Sequence, residues 1–136
     1  MDVQEKAQSP SANNENTNSL IDKYKGILQT EPNNITALSN LGVCYASINK
    51  FDEAEKSFNK ILEIDPKNLD GLNNLGVVYT QIGKIDDAIA KLEIAVKLKP
   101  DNAKLWSNLG EAYRRLGNYH QANVCRMRAI QLIEKK

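Results

Sequence analysis

The sequence predicts an all-α chain, a superhelical solenoid of antiparallel helix pairs, and three observations carry that prediction. The chain repeats itself every 34 residues: Asn40-Leu41-Gly42-Val43 returns as Asn74-Leu75-Gly76-Val77 and again as Asn108-Leu109-Gly110-Glu111. Tyr45, Tyr79 and Tyr113 keep the same step, as do Ala54, Ala88 and Ala122, and twelve of 34 positions are identical between 35–68 and 69–102. Inside each unit the apolar residues fall at helical spacing, first Leu38, Leu41 and Tyr45, then Ala54, Phe58 and Ile61. Turn formers separate those two runs and close each unit.

The elements follow in chain order. Residues 1–17 are polar and asparagine-rich and predict a disordered tail. Leu20, Tyr24, Ile27 and Pro32 repeat the second-helix pattern, so 18–32 is expected to cap the first full unit as a half-repeat helix. The full units are 35–68, 69–102 and 103–136. Asn34, Asn68 and Asn102 stand where the first helix of each should begin, and an asparagine side chain can accept from the free N–H groups there. Asn49, Gly83 and Gly117 share the place between the two helices, where a left-handed residue ends a helix tightly. Pro32, Pro66 and Pro100 mark the joints between units. Gly42, Gly76 and Gly110 lie within first helices, where glycine costs about 1 kcal/mol relative to alanine. Close approach of the second helix, through Ala54, Ala88 or Ala122, is the expected reason.

Together these residues resemble the tetratricopeptide repeat pattern W-x2-L-G-x2-Y…A-x3-F…P. At eight signature positions the three units match at seven, eight and six, with Leu accepted for Trp and Phe. The departures are Ile61 in place of Ala, Arg126 in place of a large apolar residue, and Glu134 in place of Pro. The resemblance implies an arc whose concave face is lined by the first helices. It also implies a non-enzymatic adaptor or scaffold that holds a protein or peptide partner in that groove.

On that face Asn40, Asn74 and Asn108 share one repeat position, and Asn73 neighbours the second of them. A carboxamide has both donors and an acceptor, so it can bond the main chain of an extended peptide without reading its side chains. The arrangement is similar to the asparagine ladder of O-linked N-acetylglucosamine transferases. The alternative is that these asparagines bond only to neighbouring backbone. Lys104, Arg114 and Arg115 make the third unit basic, which favours an acidic segment, with Glu111 partly cancelling the field. A resemblance to the carboxylate clamp of co-chaperones stops at Asn74 and Lys104, because Ser39, Val43 and Asn108 do not fit it.

Other function classes find little support. The formal charge is +1, from 18 basic and 17 acidic residues, so no nucleic-acid partner is expected. No apolar run is long enough for membrane insertion, and no signal-peptide pattern opens the chain, which predicts a cytoplasmic or nuclear protein. Cys44 and Cys125, 81 residues apart, do not make a disulfide framework. Cys44 is expected to be buried and Cys125 partly exposed. No metal-ligand spacing, phosphate loop or Ser/His/Asp arrangement appears, so neither cofactor nor catalysis is expected. Met127, Ile130, Leu132 and Ile133 leave apolar surface on the last helix, enough for weak self-association.

Overall fold

The computed structural model describes residues 10–135, and every regular element among them is a helix. There are seven: α1 (Pro10–Thr30), α2 (Ile35–Ser47), α3 (Phe51–Ile64), α4 (Leu69–Ile82), α5 (Ile85–Leu98), α6 (Ala103–Leu116) and α7 (Tyr119–Glu134). From α2 onward they pair as antiparallel hairpins, two helices per 34-residue unit.

Side-chain chemistry fixes both ends of the first helices. Asn34 accepts from the N–H of Ala37 at 2.9 Å, Asn68 from Gly71 at 2.8 Å, and Asn102 from Lys104 and Leu105 at 3.0 and 3.3 Å. Asn118 performs the same service for α7, accepting from Gln121 at 3.1 Å. At the other end Asn49, Gly83 and Gly117 adopt φ of 61°, 87° and 93°. The residue after each one donates back to the tyrosine carbonyl five positions earlier, at 2.8 Å for Lys50, 2.9 Å for Lys84 and 2.9 Å for Asn118. That is the Schellman closure, built from the left-handed residue that precedes each donor. The joints are β-turns with proline at the second position, closed from Asn34 to Glu31, Asn68 to Asp65 and Asn102 to Lys99 at 3.1, 3.0 and 3.3 Å.

Two compact units divide the chain within α3, one ending at Lys60 and the other beginning at Ile61. In the first, α1 packs on α2. Ile21, Leu38, Leu41, Ala54 and Phe58 are its buried residues of note. In the second, α4 packs on α5 and α6, and α6 packs on α5 and α7. Its core holds Leu72, Leu75, Leu92, Ala95, Leu105, Leu109 and Cys125.

Two expectations need correction. The tail expected over 1–17 lies outside the described residues from 1 to 9, whereas 10–17 form the opening turns of α1. The helix therefore starts eight residues before 18. Pro10 suits a first helical turn, where its missing N–H has no bond to lose, and asparagine disfavours a helix only weakly. The cysteines also exchange roles. Cys44 is only half-buried, while Cys125 is 2% exposed among the residues packed under Gly110. Burial raises both thiol pKa values, and at Cys125 the nearby Glu93 charge adds to the effect.

Candidate peptide-contact surface

The predicted contact residues occupy first helices, α2 in one unit and α4 and α6 in the other. Asn40 sits half-buried on α2 beside the buried pair Leu41 and Gly42. In the second unit, α4 and α6 bring Asn73, Asn74 and Asn108 onto neighbouring helices. Asn73 is 7% exposed, and its carbonyl oxygen accepts from the Asn108 side-chain amide at 2.8 Å. Asn73 therefore faces the next helix rather than solvent. Asn74 and Asn108 are each half-buried. The bond to Asn73 uses one of the two donors on the Asn108 amide.

The basic end is internally engaged. Arg114 grips Glu111 bidentately, Nε to Oε1 at 2.9 Å and Nη2 to Oε2 at 2.6 Å. Arg115 Nε donates to the same carboxylate at 2.9 Å. Arg115 Nη1 also reaches back to the Thr80 carbonyl on α4, at 3.3 Å. The Arg114 hydrogen bond is the largest cause that holds the Glu111 carboxyl down to about 2, with Arg115 adding to it, while the Arg114 guanidinium is pushed up in return. Lys104 is exposed at the start of α6.

Chemically, this surface offers oriented carboxamides flanked by two arginines and one carboxylate. The sequence places each of these groups on a first helix and flags the opposing charge of Glu111. It did not locate the Asn73–Asn108 bond or the carbonyl of Thr80, because contacts between successive repeats depend on which face the next helix covers. Thr80 itself is 5% exposed and turns its hydroxyl onto the Gly76 carbonyl at 2.8 Å.

A second feature joins α5 and α6. Tyr113 donates its hydroxyl to Glu93, and burial followed by that carboxylate pushes the tyrosine pKa up to about 12. Trp106 Nε1 donates to the Pro100 carbonyl at 2.8 Å. Among the described residues, no group of three or more His, Cys, Asp or Glu side chains is placed to hold a metal ion. None of the described helices is long and apolar enough to cross a membrane.

Comparison with known proteins bears on both fold and family. Tetratricopeptide repeat family models match residues 35–68, 57–90 and 103–136, and a TPR repeat model matches 78–117. Among solved structures, a crystal structure of MamA superposes with a TM-score of 0.80 at 26% identity, covering 97% of this chain and 75% of that one. MamA from MSR-1 gives 0.74 at 26% identity, covering 95% and 72%. The MamA fragment 41-end from Desulfovibrio magneticus RS-1 gives 0.83 at 19% identity, covering 92% and 71%, which is a likeness of fold. No curated protein matches the sequence.

Proposed function

The chain belongs to the tetratricopeptide repeat family, a protein–protein interaction module, and we propose that it holds an extended peptide segment by its main chain through Asn74 and Asn108, with Asn40 at the same repeat position. The observation that carries the reading is the Asn73–Asn108 bond at 2.8 Å. A carboxamide held by a buried neighbour is pre-organised, so less rotamer entropy is lost when a ligand binds it. Its role is that of a rigid scaffold rather than an enzyme. Side-chain selectivity is modest, because Arg114 and Arg115 already share Glu111, and an acidic ligand must compete with that carboxylate.

Selection from a displayed random-peptide library tests this. The expected binders share little side-chain sequence, show at most a mild acidic bias, and are lost with a folded Asn40→Ala/Asn74→Ala/Asn108→Ala variant. Binders that the triple variant retains would contradict the proposal. Charge reversal of Arg114 and Arg115 should change the salt dependence of binding only slightly.

One observation favours a second reading, assembly through the last helix. Val124, Met127, Ile130 and Ile133 are 47%, 53%, 40% and 61% exposed on α7. Light scattering at high micromolar concentration distinguishes the two: a monomer mass removes the assembly reading.

A further inference from the structure

The three hairpins meet the same packing requirement with different residues. A Cβ on Gly42 would lie 2.5 Å from Cε1 of Phe58, and one on Gly76 would lie 2.5 Å from Cγ of Leu92. Phe58 and Leu92 are 1% and 0% exposed. Each reaches across its hairpin and fills the space above its glycine, as close packing of a core requires. The residue in that register of the third hairpin is Arg126, which is exposed. A Cβ on Gly110 would meet the Ala122 carbonyl oxygen and Cys125 Cβ, both at 3.2 Å, and then the backbone nitrogen of Arg126 at 3.7 Å. No Arg126 side-chain atom comes as near. Its Nη2 lies instead 3.4 Å from Asn123 Oδ1.

The absent knob leaves an open hole of ≈ 360 Å³ between α6 and α7. That volume is within the range of roughly 300–1,000 Å³ typical of ligand sites. Gly110 and Ala122 line it, with Ser107, Tyr119, Asn123 and Arg126 around them. Glu111 and Arg114 also line it, and Glu111 is neutralised by Arg114 and Arg115. The local field is therefore positive. Tyr119 is 65% exposed.

We propose that this hole is a docking socket for a partner helix that inserts a phenylalanine side chain above Gly110 and sets a carboxylate against Arg126. The shape argument comes from the chain itself, since Phe58 fills the equivalent space in cis over Gly42. The aromatic choice follows from the surroundings: a guanidinium stacks on a ring, and the exposed Tyr119 ring offers an edge. The acidic flank follows from the field. A second copy of the chain is a poor occupant, because its two phenylalanines are Phe51, half-buried, and Phe58, buried. The socket shares Glu111 and Arg114 with the basic edge of the asparagine surface, but none of Asn40, Asn74 and Asn108 lines it.

The test uses a short helical peptide with one phenylalanine and glutamates one turn to either side, titrated into the full chain. Amide shifts and fluorescence anisotropy are followed. Saturable shifts at Gly110, Ala122 and Asn123 are expected, with at least about tenfold weaker binding when the peptide phenylalanine becomes alanine, a difference of about 1.4 kcal/mol. Arg126→Phe rebuilds the knob in cis, so it should raise Tm and abolish binding. Arg126→Ala keeps the hole and should bind more weakly, with less salt dependence; it stands as the informative variant if Arg126→Phe misfolds. The Asn40/Asn74/Asn108→Ala variant should bind like wild type. Absence of saturable binding, shifts centred elsewhere, or undiminished binding by a folded Arg126→Phe would each overturn the socket. A doubled mass with shifts at the same amides would give it to a second copy and equally overturn the proposal.

Discussion

A buried carboxamide left without its partner forfeits a hydrogen bond and keeps the desolvation cost, and Asn73 holds that position against Asn108. Asn73→Ala should therefore cost about 1 kcal/mol in urea unfolding. It should also weaken peptide binding, although Asn73 faces its neighbour. A stable variant with unchanged peptide affinity would mean that Asn108 is not oriented by this bond. Glu111 provides a pH signature. Its carboxyl is held at about 2, below the 4.5 of an unperturbed glutamate, so the ionised form is favoured in the folded state. The stabilisation is present above about 4.5 and is lost as pH falls towards about 2. Because the side chain is 40% exposed, the net effect should stay below about 1 kcal/mol. The Tm difference between wild type and Glu111→Gln should shrink over that window, and a constant difference would show that the arginine pairing contributes nothing.

The helix pair sets a tolerance for volume that differs between hairpins. At Gly76 any added side chain runs into Leu92, so Gly76→Leu should destabilise by about 1–3 kcal/mol or more through overpacking. At Gly110 the nearest neighbours stand at 3.2 Å and the space above is open. Gly110→Ala should therefore cost less than Gly76→Ala, and helix propensity returns about 1 kcal/mol at either site. Equal losses in thermal melts would refute the difference between hairpins. Element boundaries were largely legible in the sequence because caps and turns are local chemistry. Asn34, Asn68, Asn102, Asn49, Gly83 and Gly117 each act within a few residues of their own position. The start of α1 was not legible, because asparagine-rich composition reads as a tail and a weak helix depends on its packing. The hole at Arg126 was visible only as a departure from the repeat pattern. Its consequence appears once the Phe58 and Leu92 contacts are known.

For the whole molecule, repetition makes the fold readable while leaving the contacts between neighbouring repeats hidden. A 34-residue period identifies which residues share a register, and it puts Asn40, Asn74 and Asn108 at one repeat position. Register does not determine what the next helix covers. Asn73 stands on the face the register assigns to a ligand, yet it is buried against α6, and Arg115 is tied to Thr80. Cys125 is buried because it packs under Gly110 of its own hairpin, whereas Cys44 stays half-buried. The near-neutral charge leaves hydrogen bonding, rather than long-range attraction, as the main route to affinity. The central claim, main-chain recognition by asparagine, is tested most directly by N-methylating a selected peptide one residue at a time. Methylation removes a backbone donor while leaving the side chain in place. At the contacted positions the wild-type protein should lose affinity by about tenfold or more, and the Asn40/Asn74/Asn108→Ala variant should show no such pattern. Uniform affinity across the methylated series would contradict main-chain recognition and return these asparagines to a packing role.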